Sequence, residues 1–188
     1  MEIHLDAALE ELQGKKTGMD AYSEIMDTFR DTDISTDAQF RKCFTCFYKV
    51  RRNAAWRQFF YRYFEEIKNR ENVEFAEIIT KIYEETGRVE ASFSSKLLAT
   101  LDSNMPIIDR LVLEKLGQKM SGKSAEEKLA RAIAIHGQLV QWYQAFLETE
   151  EAQRYIGQFD VHFPEHRGFS ATKKIDFLIW ADRGAAVD

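Results

Sequence analysis

Asp109 is the side chain in this sequence whose type and position best suit catalysis. It lies three residues after Pro106, where a short turn gives way to a predicted helix. A carboxylate at a helix start can stabilise positive charge that develops on a substrate, or it can position an attacking water. The helix dipole alone favours an aspartate at this position by about 0.3–1 kcal/mol. Asp109 is therefore a candidate for catalysis and also for a purely structural role.

Basic side chains are concentrated in residues 41–70, which hold nine basic and two acidic side chains. Residues 1–40 hold three basic and ten acidic ones, and the whole chain has a net charge of −5. Because local potential steers association, the basic segment can attract a phosphate backbone despite the overall acidity. Arg51 and Arg52 lie in a predicted turn between two helices and are the best candidates for phosphate contact. The alternatives are a solvated cluster or a partner for the acidic N-terminal helices.

Aromatic side chains lie among these cations, and bases can stack on such rings while cations contact phosphates. However, the apolar residues between positions 56 and 67 fall at i, i+3, i+4, i+7, i+8 and i+11, which predicts one wide apolar face of a helix. We therefore expect most of these aromatic residues to belong to the core. The residues on this face are Trp56, Phe59, Phe60, Tyr63, Phe64 and Ile67.

Cys43 and Cys46 can form half of a zinc site, for which His162 and His166 would supply the other half. More than a hundred residues separate the two halves, unlike a compact finger pattern, and two thiols at i and i+3 on a helix usually pack against neighbours. We therefore predict no metal and no cofactor. His136 lies on the inner face of a predicted helix, which favours a hydrogen-bonded core histidine over a ligand.

Caps and chain breaks predict the helices that must hold these side chains. Ser124 and Glu127 predict a capping box for a long helix to about Thr149. Gly87 is expected to end a helix in a left-handed conformation, and Pro106 is expected at the first position of another. N-caps are expected at Ser35 or Thr36, Asn53, Asn72, Ser92, Ser124 and Ser170.

The chain as a whole predicts a single all-α domain over residues 1–188, with the acidic helices of residues 1–34 as a lid or first layer. Only two prolines and nine glycines are present, and no strand pattern of period two persists. Residues 157–168 are expected to be irregular. Since there is no apolar run of about 18 residues and no signal-peptide pattern, we expect no membrane contact and a cytoplasmic location.

Two stretches of this sequence resemble the helix-hairpin-helix DNA glycosylase superfamily. The first runs over residues 81–117 and includes Ser-Phe-Ser-Ser-Lys-Leu-Leu, Leu-Asp and Pro-Ile-Ile-Asp-Arg-Leu-Val. The second is Lys-Lys-Ile-Asp-Phe-Leu-Ile-Trp, residues 173–180, which resembles a closing helix. The chain is most similar to small bacterial proteins described as 8-oxoguanine DNA glycosylase-like. The resemblance implies a fold of helix-hairpin-helix type and DNA as a partner.

The resemblance also implies roles for particular residues. Asp109 matches the catalytic aspartate, and Gly87 with Arg88 matches the hairpin whose backbone N–H groups approach a DNA phosphate. The position of the nucleophilic lysine of bifunctional members is Ala91 here, and Lys96 lies five residues further on. Lys96 is a second and weaker candidate for catalysis, because its stem is expected to pack on apolar surface with its charge in water. The four-cysteine iron–sulfur cluster of some members is absent.

Two functions follow as expectations. The first is monofunctional base excision, in which Asp109 acts on water and the base is turned out of the helix into an apolar pocket. The second is a non-enzymatic binding or interaction protein, with DNA or a protein as partner, that keeps the fold without catalysis. The missing lysine, the degenerate hairpin and the acidic balance favour the second.

Overall fold

Ten α-helices account for most of residues 3–182, the part of the chain that the computed structural model describes. These residues contain no β-strand, so the predicted all-α class is confirmed. No helix among them has both the length and the apolar character needed to cross a membrane. A short 3-10 turn, Pro164–His166, precedes the last helix. The helices are α1 (Leu5–Gln13), α2 (Lys16–Thr28), α3 (Ala38–Tyr48), α4 (Ala54–Ile67), α5 (Phe75–Thr86), α6 (Ala91–Leu101), α7 (Arg110–Lys115), α8 (Ala125–Leu147), α9 (Glu150–His162) and α10 (Ala171–Ala181).

Three helices begin at the N-caps that the sequence predicts. The Asn53 side chain accepts a hydrogen bond of 2.9 Å from the backbone three residues further on, and Ser170 does the same at 3.2 Å. Ser124 and Glu127 form the predicted capping box at the start of α8. Because a cap and its acceptor or donor are only a few residues apart, local sequence is sufficient to predict these starts.

The start of α3 differs from its prediction. Asp37 caps this helix, accepting a hydrogen bond of 2.6 Å from the backbone N–H of Phe40, whereas Ser35 and Thr36 lie in the turn before it. The Ser35 hydroxyl donates to Asp33 Oδ1 at 2.6 Å. Since an ionised carboxylate accepts more strongly than a hydroxyl, and Ser35 already has a partner, the helix begins after Asp37.

The starts of α5 and α6 also differ. Asn72 has a φ of 56°, so it lies in a left-handed turn, and Glu74 rather than Asn72 precedes α5. Glu90 precedes α6, which places Ser92 inside the helix rather than at its cap. Neither glutamate side chain bonds the first turn of its helix. Packing rather than capping therefore sets these two starts.

Residues 150–162 form α9, so the prediction of an irregular segment from Gly157 onward is wrong for its first half. The Thr149 hydroxyl caps this helix, which separates it from α8. A glycine inside a helix costs only about 1 kcal/mol relative to alanine. Burial of Tyr155 and Phe159, which are 1% and 0% exposed, outweighs that cost.

The two central helices, α6 and α10, are buried on all sides. Nine of the eleven residues in each are buried, and they include charged side chains as well as apolar ones. Helices α5 and α8 pack on α6, while α1, α7, α8 and α9 pack on α10. A helix that is buried all round is normally apolar all round, so the polar residues that these two helices carry inside require an explanation.

The aromatic face of α4 lies in the core, as its spacing predicts. Trp56, Phe60, Tyr63 and Phe64 are at most 5% exposed, and Phe59 is half-buried. These rings pack against α3, where Phe44 lies 5.9 Å from Phe60 between ring centroids. The aromatic residues of the basic segment therefore stabilise the fold.

The acidic N-terminal helices contribute side chains to the same core. Met19, Tyr22 and Ile25 of α2 are at most 1% exposed. Helix α1 packs along α10, and α2 packs along α3. At the beginning of the described residues, the backbone N–H of Ile3 donates to the Tyr155 hydroxyl at 3.4 Å.

His136 is a core residue, as predicted. Its ring stacks on Phe75 with centroids 4.2 Å apart, and it is 5% exposed. Burial lowers the pKa of His136 from 6.5 to about 4, although a hydrogen bond to the backbone of Pro106 opposes this shift. The folded protein therefore holds a neutral imidazole that the unfolded chain protonates below about pH 6.5.

We expect His136 to make stability depend on acidity. Between pH 6.5 and pH 4 the unfolded chain binds this proton and the folded chain does not, so stability falls as the pH falls. By pH 5 the loss from this one group is about 2 kcal/mol. Urea unfolding of wild type and His136→Phe at pH 7 and pH 5 measures it. An equal decrease in both proteins between the two pH values would contradict this assignment.

Candidate functional site

The hairpin between α5 and α6 turns at Gly87. This glycine has a φ of 66°, and its backbone N–H donates to the Tyr83 carbonyl at 2.8 Å to close the end of α5. An L side chain is strained at this φ, so a glycine suits the turn. A cleft of about 290 Å³ opens over the hairpin. Its lining residues are Arg52, Gly87, Arg88, Val89, Glu90, Ala125 and Lys128.

Glu90 binds two of the cations in this hairpin cleft. Arg52 donates to both of its carboxylate oxygens at 2.7 and 2.9 Å, and Arg88 donates to Oε1 at 3.0 Å. Glu90 is 6% exposed, so the two guanidinium groups are held in defined positions around a buried anion. Three cations and one carboxylate line the cleft, which leaves it net positive.

The structure brings together three of the four residues predicted to contact DNA. Gly87, Arg88 and Arg52 line the hairpin cleft, although Arg52 and Gly87 are 35 positions apart in the sequence. Arg51 is exposed on the adjoining turn and does not line the cleft. Lys128, from the first turns of α8, was not predicted, because nothing in its local sequence indicates proximity to the hairpin.

Asp109 is the N-cap of α7. Its Oδ1 accepts a hydrogen bond of 2.9 Å from the backbone N–H of Leu111, and the residue is half-buried. The helix starts at Arg110, so Pro106 does not occupy its first position as the sequence predicts. Instead, Pro106 lies in the segment before the helix. Within the described residues, no hydrogen bond to Asp109 Oδ2 is found.

Helix α6 holds the segment that leads to Asp109. The Ser95 hydroxyl, buried in the middle of α6, accepts a hydrogen bond of 2.8 Å from the backbone N–H of Ile108. Because Ile108 directly precedes Asp109, this bond fixes the Asp109 carboxylate relative to α6. One buried helix therefore positions both the hairpin turn at its start and Asp109 beside its middle.

Lys96 is buried, contrary to the expectation of a solvated charge. The residue is 9% exposed, and its Nζ donates to the Tyr48 carbonyl at 3.4 Å. The ammonium also lies 5.6 Å from the Tyr48 ring centre and 5.5 Å from that of Phe93. Burial lowers the pKa of Lys96, and the nearby Asp109 carboxylate opposes that shift. The side chain remains inside because α6 has no face exposed to water at this position.

Helix α10 carries a buried ion pair between Lys173 and Asp176. The Tyr143 hydroxyl donates to Asp176 Oδ1 at 2.5 Å, and Lys173 Nζ donates to Oδ2 at 3.3 Å. All three residues are at most 2% exposed. Burial raises the pKa of Asp176, whereas Lys173 and Tyr143 lower it, and burial with the Asp176 charge raises the pKa of Tyr143. This cluster is an ion pair completed by a phenol.

The Asp109 charge affects both Lys96 and the ion pair on α10. Its negative charge raises the pKa of Lys96, and it also raises the pKa of Asp176 and of Tyr143. Lys173 in turn lowers the pKa of Lys96. Such effects on Lys96, Asp176 and Tyr143 require short distances in a poorly solvated interior. Two lysines, two aspartates and a tyrosine thus form one electrostatic unit between α6, α7, α8 and α10, which we call the buried charge cluster.

Lys173, Asp176 and Tyr143 are not among the site residues that the sequence predicts. One signal was present: Lys173 and Asp176 are spaced i and i+3 in a helix whose other residues are largely apolar, and that spacing suits an ion pair. Tyr143 had no comparable signal, since its partner lies 33 positions away in the sequence.

An aromatic cleft of about 510 Å³ opens beside α10. Phe47, Phe177 and Trp180 line it, together with Met19 and Leu12. Lys173 Nζ lies 5.0 Å from the Trp180 ring centre, so the buried charge cluster reaches the wall of this cleft. Asp109 does not line it. Its volume is typical of small-molecule pockets, which span about 300–1,000 Å³.

Cys43 acts in packing, whereas Cys46 is exposed. Cys43 is half-buried and donates to the Ala21 carbonyl at 3.5 Å. Burial raises the pKa of its thiol to about 11, and Glu24 contributes to the shift, which opposes the thiolate form that zinc requires. Across residues 3–182 no three His, Cys, Asp or Glu side chains are grouped so that they could hold a metal ion.

No protein-family model matches this chain, and no curated protein or solved structure matches it either.

Removal of the Asp176 charge is expected to destabilise the protein strongly. In Asp176→Asn the buried Lys173 ammonium loses its counter-ion, which costs about 3–5 kcal/mol for a broken buried pair. The double variant Lys173→Met, Asp176→Leu removes both charges and should recover most of that loss. Urea unfolding at pH 7 measures both.

Glu85→Gln is the matched control, because it makes the same charge change in the exposed Lys81–Glu85 pair. We expect this variant to be nearly as stable as wild type. If Asp176→Asn were as stable as the Glu85→Gln control, the buried ion pair of α10 would have no role in stability.

Proposed function

We propose that this chain is a divergent DNA glycosylase of helix-hairpin-helix type, which binds duplex DNA at the hairpin cleft and excises a base by hydrolysis. The supporting observation is that α6 holds both parts of the site. Its first residues adjoin the Gly87 turn and the cations Arg52 and Arg88, while Ser95 fixes the backbone next to Asp109. A glycosylase needs this coupling, because the strand must be gripped at a defined distance from the catalytic carboxylate.

The proposed chemistry assigns one oxygen of Asp109 to each of two tasks. Oδ1 caps α7, which fixes the carboxylate in position. Oδ2 faces the substrate, where it stabilises the positive charge that develops on the sugar and accepts a proton from the attacking water. Water adds to C1′, the N-glycosidic bond breaks, and its electron pair leaves with the base, which takes up a proton. A single carboxylate can therefore support hydrolysis without a covalent intermediate.

Lys96 acts in this proposal as a supporting charge. It is buried, and it lies close enough to Asp109 for the carboxylate charge to raise its pKa against the lowering by burial. Its Nζ is held by the Tyr48 carbonyl and packed against two rings. This arrangement suits a fixed ammonium better than a nucleophile that must reach a sugar.

Asp109→Asn is expected to abolish base release while the fold is kept. Asparagine is as good an N-cap as aspartate, so α7 should remain intact. Loss of the carboxylate should slow base release by about 10²–10⁴-fold, the usual contribution of general base catalysis. The assay uses duplexes that carry 8-oxoguanine, uracil or an alkylated purine, and it detects the free base.

Asp102→Asn is the control, since Asp102 is also half-buried and its Oδ1 accepts from Asn104 in a turn seven positions away. We expect this variant to release base at the wild-type rate. Base release by Asp109→Asn at the wild-type rate would refute the catalytic assignment.

Borohydride reduction separates hydrolysis from lysine chemistry. A bifunctional glycosylase forms a Schiff base with the sugar, which the reagent converts into a covalent protein–DNA complex. Because Ala91 fills the hairpin position and Lys96 Nζ is buried, we expect no such complex with wild-type protein. A complex that disappears in Lys96→Gln would instead make Lys96 the nucleophile.

A non-enzymatic binding protein is the second candidate. The observation that favours it is the pairing of Arg52 and Arg88 with Glu90, because these two hairpin cations already have a carboxylate partner within the protein. The capping of α7 by Asp109 also favours a structural role for this carboxylate. Duplex binding without base release from any of the three substrates would support this candidate over the enzyme.

A further inference from the structure

A second basic cleft lies between α3 and α4. It has a volume of about 600 Å³ and is lined by three cations, Arg41, Lys42 and Arg57. Among residues 3–182, no carboxylate lines it. Its remaining lining residues are Ser35, Thr45, Cys46, Ala54, Gln58 and Tyr61. We call it the basic groove.

The cations of the basic groove differ from those of the hairpin cleft in their pairing. Lys42 and Arg57 are exposed, and within residues 3–182 neither forms an ion pair with an acidic side chain. Arg41 Nε donates to the Ile34 carbonyl at 3.0 Å, and its guanidinium lies 5.7 Å from the Tyr61 ring centre. Among residues 3–182 the groove is therefore lined by one oriented and two exposed cations without a carboxylate, and a negatively charged ligand is the natural partner.

The start of α4 adds to this positive potential. Ala54, the first residue of the helix, lines the groove, and Arg57 follows one turn later. The first-turn N–H groups of a helix lack intrahelical acceptors, and the helix dipole is positive at this end. Asn53 caps only the Trp56 N–H. Phosphate oxygens suit such a position.

The basic groove and the hairpin cleft lie on either side of the same turn. Arg52 lines the hairpin cleft and Ala54 lines the basic groove, so only Asn53 separates them in the chain. Two residues span at most about 7 Å. The exposed Arg51 belongs to the same turn. The two clefts therefore approach each other at this turn, and cations line both of them.

We infer that the basic groove binds the phosphate backbone of the duplex whose other contact is the hairpin cleft, an inference that rests on the proposed function. A duplex backbone fits better than a single strand, because the ring that lines the groove, Tyr61, is 2% exposed and offers no surface for base stacking. The groove supplies three cations and the start of α4, and contacts to phosphate oxygens from such groups position a protein on a duplex.

The test compares Lys42→Gln, Arg57→Gln with wild type in binding to a short undamaged duplex across a range of salt concentrations. Each lost phosphate contact lowers the slope of log affinity against log salt by about 0.9. We therefore expect the double variant to bind more weakly and to lose about 2 from this slope. Both side chains are exposed, so the fold should not change.

Arg154→Gln, Arg167→Gln is the matched control, with the same loss of two exposed cations from α9 and the turn after it. This control should keep the wild-type slope. If the groove variant also keeps it while Arg88→Gln weakens binding, the inference is wrong and the proposed function stands. If wild type binds no duplex, the inference and the DNA-directed function are both overturned. The base-release assay of Asp109→Asn tests only the proposed chemistry and leaves the inference about the groove unchanged.

Discussion

Burial of charged residues on α10 constrains the helices around it. Lys173 and Asp176 are both fully buried, and an ion pair without good geometry in that position would cost several kcal/mol. Asp176 Oδ1 accepts a hydrogen bond from the Tyr143 hydroxyl of α8, and the Lys173 ammonium lies 4.8 Å from the Tyr22 ring centre on α2. Helices α2, α8 and α10 must therefore keep their relative positions for these charges to remain compensated.

Helix α6 extends the same constraint to the proposed site. The Asp109 carboxylate raises the pKa of Lys96, which is buried in this helix, while the Ser95 hydroxyl of the helix fixes the chain just before Asp109. The start of the same helix carries Glu90, which orients two arginines at the hairpin. Rigid support of this kind is what a binding or catalytic arrangement requires, since misplacement of about 1 Å can cost a hundredfold in rate. The stability of the core and the geometry of the site thus depend on the same helices.

Sequence patterns predicted the helices that have one apolar face, because the spacing of apolar residues indicates directly which side is buried. The aromatic face of α4 and the caps at Asn53 and Ser124 are examples. Helices α6 and α10 gave no such signal. They are buried on all sides, so periodicity cannot separate the polar residues that enter the core from those that face water. This is why Lys96 was expected in solvent and Asp176 was not selected.

The sequence by itself determined the all-α class, the concentration of basic residues between positions 41 and 70 and the burial of the α4 rings, since composition and local spacing encode them. Only the tertiary structure decided which charges meet. Arg52 and Glu90 are 38 positions apart, and Tyr143 and Asp176 are 33 apart. A helical pattern specifies neighbours three or four residues away, whereas the pairing of distant charges depends on how whole helices pack.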